Sequence, residues 1–380
     1  MSKPNISILS ITLGSGGAEK VISLLLKELK NDYNVTLVLF YNQIHFPIPE
    51  GINVVCLSQE SATRPFYAKL SDLVSFKKKY NAFIKKENIV ISVSFLAFPN
   101  LLNGMITSSN KNIKTIISER GFPSDNTSSK LSLYISKIFY PIFYNKCTKL
   151  FSNSVYINKD LKDNFGVKIP MDVIYNPIDL PQHTISPETL NQDLKCLKII
   201  TAGTLNKRKN HIMIIRALQN STNHYNLTIL GGGPLQEYLT EEINRLNLEN
   251  QITLGGRVKN VNDFLLTNHC FVLSSFTEGF PNALIEAMAI GLPCVSTNCL
   301  SGPLELLNEN EDIEITTGTF YKGKYGLLVN NDDHEGLKNA LDYFNNNPKE
   351  RENYSRLSLL RSKEYELKSI YSKFNKFLKY

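Results

Sequence analysis

Residues 274–288 read SSFTEGFPNALIEAM. An apolar strand-like run, Cys270–Ser274, leads into them, and the glycine and proline that follow indicate a loop. A helical pattern begins near Asn282–Ala283, which places Glu278 in the loop and Glu286 about one turn into the helix. Because ligands bind at the carboxyl ends of strands in open α/β sheets, this strand–loop–helix unit predicts a ligand site.

Short runs rich in Ile, Val and Leu alternate with helix-like segments along the whole chain. Continuous apolar runs are typical of parallel strands buried on both faces, and their alternation with helices predicts a doubly wound parallel sheet. The first series of predicted strands comprises Ile6–Ile11, Val35–Phe40, Ile89–Ser94, Thr115–Ser118, Lys149–Phe151 and Asp172–Ile174. The second series comprises Leu197–Ala202, Tyr225–Leu230, Gln251–Leu254, Cys270–Ser274, Pro293–Ser296 and Gly326–Val329.

The restart of the pattern predicts two α/β domains, as does the length of 380 residues. We expect an N-terminal Rossmann-like domain over residues 1–180 and a C-terminal one over residues 196–347, with the ligand in the cleft between them. The polar, proline-containing stretch that separates them is predicted to be a linker. Residues 348–380 read as helices, which we expect to pack back toward the N-terminal domain.

The composition excludes several classes of protein. Apolar residues make up 42% and charged residues 20% of the chain, which is typical of a globular protein. The six cysteines are scattered without CxxC spacing or nearby histidines, so neither a zinc site nor a disulfide framework is predicted. Because no export signal and no apolar run of roughly 20 residues is visible, we expect a cytoplasmic protein.

The net charge of +7 is unevenly distributed. Residues 1–190 contain 21 Lys and Arg against 14 Asp and Glu, whereas the remaining residues contain 21 against 21. The first half therefore offers either a surface for anionic lipid or pyrophosphate, or an ordinary solvated surface rich in lysine. No nucleic-acid-binding motif accompanies the charge, so we expect no nucleic acid as a partner.

The helix start and Glu286 in residues 274–288 suit a ribose and a phosphate. Backbone N–H groups at a helix start bind a phosphate or a sugar hydroxyl, and the carboxylate of Glu286 can accept two hydrogen bonds from a ribose diol. A capped helix with two surface acids is the alternative interpretation.

Residues 278–297, EGFPNALIEAMAIGLPCVST, resemble the donor-binding signature of the retaining glycosyltransferases of family four. Members of that family have the GT-B fold, in which two Rossmann-like domains face a cleft. The resemblance implies an activated nucleotide sugar as substrate, with Glu286 holding the ribose and Glu278 contacting the sugar. The donor contacts it implies in this segment are Glu278, Gly279, Phe280, Pro281, Asn282, Ala283, Leu284 and Glu286.

A second segment, Ala202–His211, resembles the family's strand-end glycine followed six residues later by a Lys-Asn pair. The resemblance implies that Lys209 contacts the donor diphosphate, and a lysine above a helix start is chemically suited to a phosphate. The family usually has arginine directly after the glycine, where this chain has Thr204. Either Arg208 supplies the missing guanidinium or the site relies on Lys209 alone.

Three glycine-containing segments extend the resemblance over nearly the whole chain. Leu230–Pro234 is similar to the family's strand–GxGP–helix turn, and Pro234 suits the first position of the following helix. Gly255–Val258 resembles the segment that meets the nucleotide base, and Gly14–Glu19 resembles the N-terminal GGAE loop that faces the donor phosphates. A structural role for the glycine run and a surface role for the arginine are the alternatives. The donor contacts implied here are Gly16, Gly17, Gly232, Arg257 and Val258.

Residues 301–307, SGPLELL, resemble the S-G-P-x-E-I-L variant of bacterial glycosyltransferases that build capsule, O-antigen or lipid-linked oligosaccharides. Several of these use UDP-N-acetylgalactosamine, UDP-N-acetylglucosamine or UDP-galactose. The resemblance therefore implies a UDP-sugar as donor, and a saccharide or an undecaprenyl-pyrophosphate-linked saccharide as acceptor.

Two features of the first half concern the acceptor. Ser118–Pro123 follows a predicted strand where the family positions an acceptor or reaction-centre residue, so we expect Glu119 to orient the acceptor hydroxyl and Arg120 to bind a phosphate. A structural salt bridge is the alternative. Residues 130–149 mix lysines with aromatic side chains, which indicates peripheral contact with an anionic membrane, at the inner face of the plasma membrane. A buried amphipathic helix explains their apolar part equally well.

The resemblance implies transfer of a hexose or N-acetylhexosamine with retention at the anomeric carbon, with Glu278, Lys209 and Glu119 as catalytic residues. Positive side chains and helix starts would stabilise the leaving diphosphate, and the sequence lacks an Asp-x-Asp motif, so we expect neither a metal nor a cofactor. A UDP-sugar 2-epimerase with the same fold, and a catalytically inactive GT-B subunit that stabilises a partner, are the alternatives. The sequence leaves the sugar, the linkage and the oligomeric state open.

Overall fold

The computed structural model describes residues 3–62, 66–110, 112–125, 130–219, 221 and 223–379. The chain divides into two compact units, Met1–Asp179 with Leu367–Tyr380, and Leu180–Glu366. Each unit contains a seven-stranded sheet and helices, which is the predicted α/β architecture. None of the described helices has the length and apolar character needed to cross a membrane.

The first unit is built on an all-parallel sheet. Its strands are β1 (Asn5–Ser10), β2 (Asn34–Tyr41), β3 (Asn53–Ser58), β4 (Ile91–Phe95), β5 (Lys114–Glu119), β6 (Lys149–Ser152) and β7 (Met171–Val173). They pair in the order β3-β2-β1-β4-β5-β6-β7. The helices that follow these strands are α1 (Gly17–Asp32), α2 (Phe66–Lys86), α3 (Ala97–Thr107), α4 (Lys130–Phe143) and α5 (Val155–Phe165).

The second unit repeats this plan with one antiparallel strand at an edge. Its strands are β8 (Leu197–Ala202), β9 (Tyr225–Leu230), β10 (Ile252–Gly256), β11 (Cys270–Leu273), β12 (Cys294–Thr297), β13 (Phe320–Lys322) and β14 (Leu327–Val329). They pair in the order β10-β9-β8-β11-β12-β14-β13, and only β13 runs antiparallel to its neighbour. The helices are α6 (His211–Gln219), α7 (Gln236–Arg245), α8 (Val261–Leu265), α9 (Asn282–Ile290), α10 (Pro303–Asn308), α11 (His334–Asn346) and α12 (Pro348–Ser362).

The strand order of the second sheet reverses between β8 and β11, which are neighbours although β9 and β10 separate them in the chain. At such a switch point the connections leave in opposite directions and open a crevice at the carboxyl ends of the strands. Residues 203–210 follow β8, and residues 274–281 follow β11. The two segments with the strongest predicted donor contacts therefore start from adjacent strands.

Residues 180–196 belong to the second unit, although their polar composition predicts a linker. Arg351 of α12 is fully buried, and its guanidinium donates hydrogen bonds to the backbone oxygens of Leu190 and Gln192. Leu190 is buried as well. The segment is held in place because its backbone satisfies a buried guanidinium, a contact that composition does not indicate.

The C-terminal region is helical, as predicted, but it divides between the units. The helix α12 lies in the second unit, and the last helix, α13 (Leu367–Lys379), lies in the first. The part that joins the N-terminal unit thus begins at residue 367 and not at residue 348. On α13, the ring of Phe374 packs on that of Phe151 in β6, with centroids 5.3 Å apart.

Candidate functional site

Glu278 lies at the centre of an ion-pair cluster at the switch point of the second sheet. Its side chain is 6% exposed, and its carboxylate accepts hydrogen bonds from Lys209 Nζ at 2.5 Å and from Arg208 Nη1 at 2.9 Å. Ser275 Oγ donates a further hydrogen bond to it, at 2.6 Å. The structure therefore brings three of the predicted site residues into direct contact, and adds a serine that the sequence did not single out.

The charges of this cluster do not balance. Burial alone would raise the pKa of Glu278, but the attraction of Lys209 and Arg208, together with hydrogen bonds from Lys209 and Ser275, outweighs it and lowers the pKa to about 2. The carboxylate is therefore ionised at neutral pH. Because two cations face this single carboxylate, and 46% of the Arg208 side chain is exposed, the cluster presents a net positive charge that attracts an anion.

The turn after β8 sets the position of Lys209. The Asn206 side chain accepts a hydrogen bond from the Lys209 backbone N–H at 3.1 Å. The stem of Lys209 passes over Gly203, where a Cβ would lie 3.4 Å from the lysine Cε. The glycine at the strand end thus leaves room for the lysine to reach Glu278, whereas Thr204 beside it is exposed.

Backbone contacts join this turn to the loop after β11. Ser274 Oγ donates a hydrogen bond to the carbonyl oxygen of Lys209, and the Phe276 N–H donates one to the carbonyl oxygen of Arg208, both at 2.8 Å. The two cations and the carboxylate they bind are therefore presented by one hydrogen-bonded frame.

Two residues of the SGPLELL segment support the loop that carries Glu278. The Ser301 hydroxyl shares its one proton between the carbonyl oxygens of Glu278 and Gly279, which lie 3.0 and 2.8 Å from its Oγ. Gly302 has a φ of +100°, and a Cβ there would lie 2.5 Å from Pro281 Cδ, so a side chain does not fit. The sequence gives no sign of these contacts, because they join residues more than twenty positions apart.

Glu286 lies on the open side of α9. Asn282, Ala283 and Glu286 are half-buried, and the other six residues of this helix are buried. Because residues three and four apart share a helix face, Glu286 opens on the same side as the first helical turn. That turn receives no side-chain cap from Pro281. A carboxylate and a helix start on one side are the arrangement predicted for a ribose and its phosphate.

Several predicted donor residues turn their side chains inward. Phe280, Pro281 and Leu284 are buried, and the ring of Phe280 packs on that of Tyr365 with centroids 5.6 Å apart. Gly279 is partly exposed. Contacts of the three buried residues with a donor can therefore come only from the main chain.

Arg257 and Gly232 lie together beside the loop after β10. A Cβ on Gly232 would lie 3.1 Å from Arg257 Nε, so the arginine stem crosses the glycine. Arg257 is exposed and Val258 is half-buried. The predicted base-binding segment thus has an available guanidinium, and its contact with a base stays a prediction.

The glycine run after β9 has a packing role. Gly231 has a φ of +137°, and a Cβ there would lie 1.9 Å from the carbonyl oxygen of Gly203. The prediction for Pro234 was wrong, because α7 begins at Gln236 and the proline lies in the turn before it.

Gly16 and Gly17 lie in the first unit, exposed at the start of α1. No side chain caps this helix at Gly16, but Glu19 folds back over it, since a Cβ on Gly16 would lie 2.3 Å from Glu19 Oε2. Burial raises the pKa of Glu19. A carboxylate above a helix start is stabilised by the helix dipole, and a phosphate is stabilised in the same way.

Glu119 and Arg120 lie in the interior of the first unit, 2% and 7% exposed. Glu119 accepts a hydrogen bond from the Tyr144 hydroxyl at 3.0 Å, and Arg120 Nη2 donates one to Asn176 Oδ1 at 2.5 Å. In this arrangement neither charged group faces a surface where an acceptor would approach. Their contact with an acceptor stays a prediction, and the geometry gives them a structural role.

Stability should depend on pH through Glu119. Burial raises the pKa of this carboxyl from 4.5 to about 7, against the opposing hydrogen bond from Tyr144. Because the folded state holds this proton more tightly than the unfolded chain, its contribution is complete below pH 4.5 and is lost as the pH rises to 7. We expect the free energy of unfolding of the wild type, relative to Glu119→Gln, to fall by about 2.5 kcal/mol between pH 5 and pH 8. Urea denaturation of both proteins at both pH values measures this change. If their free energies of unfolding differed by the same amount at pH 5 and pH 8, the prediction would be wrong.

A largely apolar pocket of about 350 Å³ lies at the starts of α6 and α7. Leu235, Tyr238 and Phe276 are among the side chains that line it. None of the site residues predicted from the sequence lines this pocket.

Both halves of the chain match known sequence families. Residues 15–182 match the family Glycosyltransferase Family 4, and residues 184–358 match the family Glycosyl transferases group 1. The two matches together cover most of the chain, and they meet near the boundary between the two units.

Two relatives from Campylobacter jejuni align with nearly the whole chain. One is N-acetylgalactosamine-N,N'-diacetylbacillosaminyl-diphospho-undecaprenol 4-alpha-N-acetylgalactosaminyltransferase, which is 29% identical over 95% of each chain. The other is GalNAc-alpha-(1->4)-GalNAc-alpha-(1->3)-diNAcBac-PP-undecaprenol alpha-1,4-N-acetyl-D-galactosaminyltransferase, 25% identical over 96% of this chain and 95% of the relative. Among solved structures, sucrose-phosphate synthase from Thermosynechococcus elongatus has a TM-score of 0.79 at 15% identity, over 99% of this chain and 98% of that one. This last similarity concerns the fold.

Proposed function

Since both halves of the chain match glycosyltransferase families and form the two Rossmann-like units of the GT-B fold, the protein is a glycosyltransferase, and we propose that it transfers a hexose or N-acetylhexosamine from a UDP-sugar with retention. The proposed acceptor is a saccharide or a lipid-diphosphate-linked saccharide in the synthesis of a bacterial surface polysaccharide. The observation that carries the proposal is the cluster of Arg208, Lys209 and Glu278.

The donor diphosphate is the anion that this cluster fits. A nucleoside diphosphate brings at least two negative charges, and an ammonium beside a guanidinium forms charge-assisted hydrogen bonds with its oxygens. Lys209 and Arg208 already share one carboxylate, so the diphosphate meets a site with net positive charge. On binding it takes over part of the hydrogen bonding that Glu278 provides in the free protein.

Arg208 takes the role that the family gives to the arginine after the strand-end glycine. That position is the exposed Thr204, which has no positive charge. Arg208 lies in the same turn, and its guanidinium reaches the carboxylate that Lys209 also binds. Because a guanidinium binds two phosphate oxygens at once, Arg208 supplies the positive charge that Thr204 lacks.

The two glutamates have separate roles in this proposal. Glu278, released in part by the diphosphate, accepts hydrogen bonds from hydroxyl groups of the donor sugar. Glu286, on the open side of α9, accepts hydrogen bonds from the ribose diol. Neither acts as a general base.

The names of the Campylobacter relatives support the classes of sugar and acceptor. Both are N-acetylgalactosaminyltransferases, and both names contain an undecaprenol-linked saccharide. At 29% and 25% identity they support the class of N-acetylhexosamines as the transferred sugar and do not specify one member of it. A cytoplasmic location accords with six free cysteines, because thiols stay reduced there.

The transfer itself depends on stabilising the leaving diphosphate. The acceptor hydroxyl attacks the anomeric carbon from the side that the diphosphate leaves. The new glycosidic bond forms as the bond from that carbon to the phosphate oxygen breaks, and the hydroxyl proton passes to the departing diphosphate. Lys209 and Arg208 stabilise the negative charge that develops on the phosphate. We propose that these two cations suffice without a metal. Transfer activity measured in the presence of a chelator tests this.

Binding of UDP, GDP and ADP, measured by thermal unfolding, tests this function. We expect UDP to stabilise the wild type, by about 2.7 kcal/mol at a hundred times its Kd. Arg208→Gln should weaken UDP binding roughly tenfold or more, because it removes a charge-assisted contact with the diphosphate. Lys207→Gln removes the same charge from the adjacent residue of the turn and should leave the affinity within about twofold.

Other outcomes would overturn parts of the proposal. A wild type that binds none of the nucleotides is not a UDP-sugar transferase. If Arg208→Gln binds UDP as the wild type does, the guanidinium is not at the donor. Epimerised sugar formed from a UDP-sugar alone would show an epimerase, and UDP-sugar binding without transfer to any saccharide or lipid-linked acceptor would show an inactive subunit.

A further inference from the structure

The helix α4 in the first unit has two apolar faces. On its inner face Leu133, Tyr140 and Phe143 pack into the core beneath it. A helix at the surface of a globular protein normally has one apolar face and one polar face. Packing against the core explains the apolar residues on the inner face of α4. It does not explain the apolar residues on the opposite face.

Four large apolar side chains form the outer face of α4. Their exposed fractions are 69% for Leu131, 66% for Tyr134, 57% for Ile138 and 48% for Ile142. Their spacing of three, four and four residues places them in one stripe, about 16 Å long at 1.5 Å per residue. Single exposed apolar residues are common on proteins, whereas four in one stripe mark a surface that contacts something else.

The charged residues of the segment that contains the stripe are all of one sign. The sequence from 126 to 159 contains no Asp or Glu and five lysines. Of these, Lys137, Lys146 and Lys159 are exposed, and Lys137 precedes Ile138 of the stripe. Lysine stems extend along an apolar surface while their ammonium groups reach a polar boundary.

We propose that the outer face of α4 docks on the surface of an anionic lipid bilayer. The stripe of Leu131, Tyr134, Ile138 and Ile142 enters the boundary between headgroups and acyl chains, and the lysines bind the anionic headgroups. With four side chains and a few lysines, the binding is reversible and falls as salt screens the lysines. The proposal does not depend on which sugar the protein transfers.

A bilayer fits this face better than a second copy of the chain. A stable dimer interface buries about 800 Å² on each partner, which is more than four partly exposed side chains provide. Two copies would also bring together the lysines of residues 126–159, a stretch that contains no acidic residue to pair with them, which disfavours association.

Sedimentation of the full-length protein with lipid vesicles tests the proposal. Vesicles of phosphatidylcholine alone are compared with vesicles containing about 30% phosphatidylglycerol. We expect binding to the anionic vesicles, and a loss of about tenfold or more when Tyr134→Ser and Ile138→Ser are combined. Val74→Ser with Leu360→Ser is the matched control, because these side chains are 76% and 59% exposed on other helices.

A second pair of variants separates charge from apolar contact. Lys137→Gln with Lys146→Gln should weaken binding to the anionic vesicles and leave the thermal unfolding unchanged. A wild type that stays unbound, or a Tyr134→Ser and Ile138→Ser variant that binds as well as the wild type, would overturn the proposal. So would a lipid-free dimer in sedimentation velocity that the same variant converts to a monomer, because the stripe would then be a contact between two copies.

Discussion

Replacing Glu278 with glutamine should lower sugar transfer by about a hundredfold or more and, at the same time, tighten the binding of UDP. Activity falls while affinity rises because the carboxylate interacts with two parts of the donor, the diphosphate and the sugar. In the proposed function it repels the diphosphate and competes with it for Lys209 and Arg208, and it contacts the sugar that is transferred. Glutamine keeps the shape of the side chain and removes its charge.

The expected gain in affinity follows from the geometry of the cluster. In the wild type, two hydrogen bonds from the cations must be shared or exchanged when UDP arrives, and the ionised carboxylate remains close to the phosphates. A like charge roughly 6–12 Å away in a medium of effective dielectric about 20 costs on the order of 1–3 kcal/mol. We therefore expect the Kd for UDP to fall about tenfold in Glu278→Gln.

Calorimetry with UDP and a transfer assay with the full donor measure the two effects separately. Glu241→Gln, which removes the same charge from an exposed residue of α7, is the control and should change neither quantity. The assigned role of Glu278 does not hold if its glutamine variant keeps more than about a tenth of the activity. Weaker binding of UDP by that variant would show that the carboxylate does not compete with the diphosphate.

The free protein should also lose stability in Glu278→Gln, and this loss has a pH dependence. The pKa of Glu278 is about 2 in the folded protein, whereas the ordinary value of 4.5 applies in the unfolded chain. The stability it contributes is therefore present above pH 4.5 and is lost as the pH falls toward 2. The ion pairs that stabilise the site in the free protein are, in the proposed function, those that the donor exchanges.

The sequence predicts the members of this site but not how they contact each other. Glu278 and Lys209 are found because each belongs to a segment with a recognisable strand, turn and helix. The contact of Arg208 with Glu278 crosses 70 positions of the chain, and no local pattern specifies it. Ser275 and Ser301 escape prediction for the same reason, since small hydroxyl residues in loops are common and only their distant partners show a role.

The fold is predictable where burial is complete. The run Leu37–Phe40 in β2 is apolar without interruption, so its strand is evident from the sequence. The strand β3 escapes prediction because it lies at an edge, where its first two residues are exposed and its apolar run is short. On α4 the pattern is ambiguous, because apolar residues cover both faces and only the structure shows which face the core buries.

The second large effect should come from the end of the chain: Phe374→Ala is expected to destabilise the first unit by about 3–5 kcal/mol. Phe374 is fully buried, and its ring packs on that of Phe151 in the sheet. The ring of Phe151 also lies against that of Phe95, with centroids 5.7 Å apart, and beneath the guanidinium of Arg120. A cavity at Phe374 therefore removes support from the aromatic layer that packs against the buried guanidinium of Arg120.

Contacts at the end of α13 make collapse of that cavity difficult, which places the expected loss in the upper part of the range. The ammonium of Lys114 donates a hydrogen bond to the carbonyl oxygen of Leu378 at 2.9 Å, and Lys149 donates one to that of Phe377. These bonds fix the helix end over β5 and β6, so it cannot move inward freely. Urea denaturation followed by circular dichroism, with hydrogen exchange at β6, measures the loss, and Lys373→Ala on the exposed side of the helix should change it by less than about 0.5 kcal/mol. A loss below about 1 kcal/mol for Phe374→Ala would mean that α13 is not part of the first core.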